Sequence, residues 1–357
     1  MIRRSSSGRT GLDRAAPGRQ RRFGSVAAVT EWLTWRAAME RALYGSQGFY
    51  RRPGGGPATH FRTSAHNPVF AEAVGRLLLE VDARLGAPER LDFVDMAAGR
   101  GELAAGLVEW LAAADPELAR RLRVVAVDLG PQPKGLPEAV TWAAEAPSGI
   151  VGLLIANEWL DNVVCDVAEV DEDGTVRIVE VDPATGTERL GGEPDEAQQA
   201  WLAQWWPVVG AELGTRAELG LDRDEAWRSA VAKLARGVAV AVDYAHTAGA
   251  RPAFGTLTGY RDGHQVPPVP DGSCDITAHV ALDACAAALP PDVETTLTTQ
   301  RDYLKLLGIS GSRPDLSQAS TDPLGYLRGL SRASAAAELT EPAGLGAFGW
   351  LLAYSGC

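Results

Sequence analysis

The run Phe93-Val94-Asp95-Met96-Ala97-Ala98-Gly99-Arg100-Gly101-Glu102-Leu103 sets an acid at the end of an apolar strand and two glycines in the turn after it. Glycine admits dihedrals closed to other residues, so such a turn lets backbone approach a bound nucleoside closely. A phosphate-cradling loop calls for cations or bare N–H groups. Asp95 suits a cationic, phosphate-free ligand instead, and S-adenosylmethionine is one, with its ammonium, sulfonium and ribose hydroxyls. The competing reading is an ordinary strand-to-helix turn that happens to hold two glycines.

Three further groups could do chemistry. Asp128 closes the next apolar run, where an acid is suited to accept hydrogen bonds from two ribose hydroxyls; a solvated turn acid is the alternative, and Leu129 follows it. Asn157-Glu158-Trp159-Leu160-Asp161 ends the apolar run Ile150 to Ala156. Polar groups delivered there are costly without partners, so they are expected to hold the methionyl end of the cofactor or the acceptor nitrogen, with a helix-capping cluster as the alternative. His60, His66 and His279 are candidate general bases near neutral pH. His60 and His66 lie six apart with no third ligand nearby, so no metal site is expected. His279 follows Thr277, read as the cap of a helix.

The elements that must position these groups alternate. Strands are expected at Leu91–Asp95, Leu122–Asp128, Val140–Trp142, Ile150–Ala156 and Gly237–Asp243, with a helix at Gly101–Ala113 between the first two. Such alternation implies a mostly parallel, doubly wound sheet. Ligands in such sheets bind beyond the carboxyl ends of the strands, where Asp95, Asp128, Asn157-Glu158 and Asp243-Tyr244 all fall. Helices are expected from Thr30 to Leu43 and from Asn67 to Leu85, the second with Pro68 in its first turn. The loop Gly48 to Pro57 between them reads as a lid or substrate contact. A hairpin at Asp166–Asp171 and Thr175–Val181 around Asp173-Gly174, and helices at Pro194–Trp206 and Asp224–Leu234, form a long insertion. A helix near Ala278–Ala288 and a strand near Val293–Thr298 follow.

This divides the chain into a disordered basic leader (1–24), an N-terminal helical or lid segment (25–90), a Rossmann-like core (91–165 and 237–310), an insertion subdomain (166–236) and a C-terminal segment (311–357). The formal charge is −12, although the first 22 residues carry seven arginines and one acid. So acidic a body argues against broad nucleic-acid binding. No apolar run is long enough to span a bilayer. Four scattered cysteines fit free thiols in a reducing, cytoplasmic setting.

Several ordered motifs from about Tyr44 to Gly308 resemble those of the MidA-like methyltransferases, a family that includes an arginine methyltransferase of mitochondrial complex I assembly. They are Gly48-Phe49-Tyr50, Phe61-Arg62-Thr63-Ser64, Asp95 to Leu103, Asn157-Glu158-Trp159-Leu160-Asp161, Asp243-Tyr244, Gly255 to Tyr260, Asp275 to Val280 and Gln300 to Gly308. The resemblance implies an α/β, Rossmann-like class I methyltransferase core with helical and β-hairpin insertions, and S-adenosylmethionine as cofactor. It implies Thr63, Ser64, Asp95, Ala97, Gly99, Gly101, Asp128, Leu129, Asn157 and Glu158 as cofactor-binding residues. Glu158, Asp161, His60, His66 and His279 are the catalytic candidates. The departures fall on the acceptor side: His60 stands for an acid, His66 for a glutamate, Ala65 for a proline, Asn162-Val163-Val164 for Ala-Leu-Pro, and Ala245 for a glycine. A carboxylate pairs with a guanidinium bidentately, whereas a histidine does not. The histidines therefore tilt the expected acceptor from a protein arginine toward a small-molecule hydroxyl or amine. A homodimer is compatible with the sequence. A non-catalytic scaffold that binds the cofactor is the rival of another class, and a nucleotide-dependent oxidoreductase is a weaker one.

Overall fold

Apolar runs such as Val238–Val242 and Leu153–Ala156 carry no polar alternation, which is the pattern of strands covered on both faces. The computed structural model describes residues 31–52 and 63–356. The expected leader, the approach to the first helix, most of the glycine-rich loop after Arg52, and His60 lie outside the described residues. From Trp32 onward the chain forms one compact unit.

Its centre is a seven-stranded sheet: β1 (Leu91–Met96), β2 (Leu122–Val127), β3 (Val140–Ala143), β4 (Ile150–Asn157), β5 (Leu234–Asp243), β6 (Glu294–Thr299) and β7 (Gly349–Ser355). The spatial order is β6-β7-β5-β4-β1-β2-β3. The strands from β5 to β3 run parallel, and β7 is antiparallel to both its neighbours. This is the α/β fold expected from the sequence. The order reverses at β1 and β4, which opens a crevice at their carboxyl ends.

Helices cover both faces. One layer contains α1 (Pro68–Arg84), α2 (Glu102–Ala114) and α4 (Pro323–Leu339), with Phe70, Leu78, Leu107, Leu339 and Trp350 in a single core cluster. Asn67 caps α1 by accepting from the Val69 N–H, with Pro68 at the first position. α1 and α2 meet closely because Gly75 faces the Trp110 ring, where a Cβ would sit 2.3 Å from a ring carbon. On the other face α3 (Leu221–Val231) buries Trp227 against Leu154, Leu160 and Leu282.

The expected hairpin is present, with Val167–Val170 antiparallel to Val176–Val181. It belongs to a second, five-stranded sheet that also takes Leu33–Thr34 and Arg216–Glu218. Two expectations need correction. The N-terminal helix does not run from Thr30. Leu33–Thr34 is a strand paired to Val181 and Glu180, Thr34 is the cap, and Trp35–Met39 passes into a π-helical turn, Glu40–Tyr44. Pairing to the second sheet overrides the helical spacing of the apolar residues. The helix near 278–288 shrinks to Leu282–Ala287, because Thr277 belongs to a strand and Val280 pairs with Ala245. Within the segment 311–357, residues 349–355 form β7, inserted between β5 and β6. No helix among the described residues is long and apolar enough to cross a membrane.

Candidate active site

The turn after β1 is built from left-handed backbone: Ala97 has φ +52°, Gly99 +62° and Gly101 +78°. At Gly99 and Gly101 glycine is what such a backbone favours, and Ala97 carries the cost of a non-glycine residue there. Asp128, just beyond β2, clamps this turn. Its Oδ2 accepts the Gly99 N–H at 3.0 Å and its Oδ1 accepts the Gly130 N–H at 2.7 Å. Leu129 beside it is 52% exposed.

A cavity of about 130 Å³ opens at the ends of β1, β4 and β5. Of the residues singled out in the sequence, Thr63, His66, Asp95, Ala97, Gly99, Asn157, Glu158 and Asp161 line it. Ser64, Gly101, Asp128, Leu129 and His279 do not. Ser64 is buried and acts through its main chain, donating its N–H to Glu158 Oε1 at 3.2 Å. Gly101 caps α2 against Leu136. His279 stacks on Tyr244, with centroids 5.4 Å apart, and its main chain bonds Thr256 and Arg223. The helix expected to start beside His279 begins only at Leu282.

Carboxyls dominate the lining. Asp95 is 2% exposed, and its Oδ2 has no partner. Burial pushes its pKa up to about 8, with Glu102 and Asp128 adding to the rise. Glu158 has φ +53° and accepts from Ser64 N–H and Asn157 Nδ2 on the same Oε1. Burial, then Asp161, raises it to about 8. Asp161 accepts from Thr277 Oγ1 at 2.8 Å on Oδ2, while Oδ1 is unpartnered; burial raises its pKa. Burial also lifts Asp243, which holds the Leu160 and Asp161 N–H groups on Oδ2.

His66 is committed elsewhere. Its Nδ1 accepts the Thr63 N–H at 3.1 Å, which puts the proton of the neutral ring on Nε2, and Nε2 faces Glu102 Oε1 at 3.5 Å. No group of three or more metal-ligating side chains occurs among the described residues.

Asp95 Oδ2, Asn157 Oδ1 and Asp161 Oδ1 are buried acceptors without donors. Buried polar atoms normally have partners. A ligand that brings positive charge and N–H or O–H donors satisfies Asp95 Oδ2 and Asn157 Oδ1, so the site fits S-adenosylmethionine.

Residues 73–296 match the sequence profile of a family described as "Putative S-adenosyl-L-methionine-dependent methyltransferase". The chain belongs to this methyltransferase family. The enzyme is also similar to a protein from Burkholderia thailandensis solved with S-adenosyl-homocysteine bound, at 26% identity over 91% of this chain and 88% of that one, with a TM-score of 0.73. A native structure of an uncharacterized protein from the same organism aligns at 26% identity over 91% and 87%, with a TM-score of 0.70. No curated protein matches. S-adenosylmethionine is the cofactor of this methyltransferase.

Asp275 and Tyr260 also face the cavity and were not among the site candidates of the sequence; Tyr244, expected at the end of β5, faces it too. Asp275 Oδ1 accepts from Tyr50 Oη at 2.8 Å and from Asn162 Nδ2 at 2.9 Å, and burial raises it to about 7. The available signal was the family-like stretches Gly255 to Tyr260 and Asp275 to Val280. Nothing local marks those residues as chemical.

Proposed function

We propose that this methyltransferase methylates a nitrogen of a cationic acceptor, a guanidinium or an amine, and that Asp95, Asn157 and the glycine turn hold the cofactor while Glu158, Asp161 and Asp275 face the acceptor. In this reading Thr63, Ser64, Ala97, Gly101, Asp128 and Leu129 shape or support the cofactor side. The observation that carries the reading is the carboxyl set Glu158, Asp161 and Asp275 lining the cavity, with Asp161 Oδ1 left without a donor. Carboxylates recognise guanidinium and ammonium groups through charge-assisted hydrogen bonds.

The bound cofactor supplies an electrophilic methyl group. The chain's own task is to align the acceptor, exclude water and take a proton, and alignment accounts for much of such a rate gain. Ser64 N–H and Asn157 Nδ2 fix the orientation of Glu158. A carboxyl whose pKa lies near the working pH is suited to take the proton released from nitrogen. The tilt toward a small-molecule hydroxyl or amine rested on His60 and His66. His60 lies outside the described residues, and His66 Nδ1 is already occupied. Tyr50, in the N-terminal segment, then supports the acceptor side by donating its hydroxyl to Asp275.

The test is methyl transfer from labelled cofactor to a panel of arginine peptides, alkylamines and hydroxyl compounds. N-methylated products support the proposal. Transfer to hydroxyl compounds alone overturns it.

A further inference from the structure

We propose that Arg223, on α3 of the insertion, is a positioning residue for the active cavity: it fixes the main chain around Asp161 and favours the ionised form of that carboxyl.

Arg223 is 2% exposed. Its guanidinium contacts main-chain oxygens: Nε donates to Val163 O at 3.1 Å, Nη1 to His279 O at 2.9 Å and Nη2 to Asp161 O at 2.9 Å. One side chain thus ties the turn after β4 to the strand-and-turn that carries Thr277. No carboxylate lies within ion-pair distance of it among the described residues, so its charge acts through space on the groups around it.

Asp161 is pinned from several directions. Its N–H goes to Asp243 Oδ2, its carbonyl accepts from both Arg223 and the Ala278 N–H, and its Oδ2 accepts from Thr277 Oγ1. Only Oδ1 is unspent, and it is buried in a residue that lines the cavity. The groups that surround this carboxyl are overwhelmingly acidic or neutral: Glu158 on its own turn, Asp243 on β5, Asp275 on the neighbouring strand, and Tyr44, Tyr244 and Tyr260. Arg223 opposes them, and its charge also feels Glu218, Cys165 and Asp243. An opposite charge nearby favours ionisation, and a buried guanidinium stays charged.

The inference deepens the acceptor reading, because an ionised Oδ1 is what a cationic acceptor requires. Its test needs no acceptor. Full-length protein labelled with ¹³C at the aspartate carboxyls is titrated by NMR, with the Asp161 signal assigned by its loss in Asp161→Asn. In the wild-type protein Asp161 should titrate below both Asp243 and Asp275. Arg223→Met should weaken its acidity at least tenfold, one pH unit or more, and Arg223→Lys should restore most of that shift. Unchanged S-adenosyl-homocysteine binding shows that the fold is intact. If Asp161 titrates after Asp243 and Asp275 in the wild type, the proposal fails without any variant. A folded Arg223→Met protein with an unmoved midpoint overturns it as well. If the shift occurs yet no nitrogen acceptor is methylated, the acceptor reading fails and the role of Arg223 stands.

Discussion

The Oδ2 of Asp128 accepts the main-chain N–H of Gly99 at 3.0 Å, so the acid after β2 holds the shape of the glycine turn after β1. Its second oxygen does the same for the turn at Gly130. Each carboxylate oxygen retains a lone pair, so the same side chain can hold its loop and still accept from a ribose hydroxyl. Asp128→Ala should weaken binding of S-adenosylmethionine and S-adenosyl-homocysteine alike, by about 1–3 kcal/mol, the usual cost of orphaned hydrogen-bonding groups. Asp128→Asn should lose affinity too, because one amide hydrogen must face an N–H donor. Isothermal titration measures both. Unchanged affinity in the alanine variant removes Asp128 from the cofactor site.

Glu158→Gln separates proton transfer from geometry. Glutamine keeps an oxygen for the Ser64 N–H and Asn157 Nδ2 but cannot take a proton at the working pH. The methyl-transfer rate should fall by about 10²–10⁴-fold, the range of a general base, with cofactor affinity nearly unchanged. A rate within a few-fold of wild type assigns the proton to another group.

Much of the sheet was legible in the sequence because β1, β2, β4 and β5 are apolar runs that end in acids or amides, and those ends mark the crevice. β7 was not legible. Gly349–Ser355 has the same apolar character, but its place in the sheet depends on pairing with β5, more than a hundred positions away, and with β6, 50 to 60 positions away. The cavity residues proposed to face the acceptor were hidden for the same reason. Tyr50 reaches Asp275 across 225 positions, and Arg223 reaches Asp161 across 62. Neither contact leaves a period or a spacing. The helix start expected beside His279 is displaced, because the chain there first pairs with Ala245 and turns into helix only at Leu282.

Stability of the cofactor-free protein should fall as pH rises from about 6.5 to 8.5. Asp95 and Glu158 are raised to about 8 and Asp275 to about 7 in the fold. The folded protein therefore binds more protons than the unfolded chain, whose carboxyls titrate near about 4. Stability linked to these groups is complete below the unfolded values and is lost as pH passes through the folded ones. His246 works in the other direction. Burial and Arg251 lower it to about 3, so its contribution is present above about 6.5 and lost on acidification. The window above about 6.5 isolates the carboxyls. Thermal midpoints measured there should drop, and saturating S-adenosylmethionine should flatten the drop, because its positive charges pair with the ionised groups. A flat profile without cofactor contradicts the buried-acid account of the cavity.

Trp350 on β7 is fully buried, sits edge-to-face with Phe70 at 6.1 Å, and donates Nε1–H to Gln300 Oε1 at 3.2 Å. Gln300 in turn donates to Leu339 O and contacts Ser64 Oγ, the residue whose N–H holds Glu158. The last strand thus supports the site through one buried amide as well as through the sheet. Trp350→Ala should cost about 3–5 kcal/mol in denaturant unfolding, as large-to-small core substitutions do. Trp350→Phe should cost less, since it keeps most of the ring packing while leaving a Gln300 lone pair without its donor. Deleting 349–357 should abolish folding, because β5 and β6 both lose the strand that joins them. If the deletion variant unfolds cooperatively at the wild-type midpoint, β7 is not part of the core sheet's folding unit, and the support it gives Ser64 through Gln300 is dispensable.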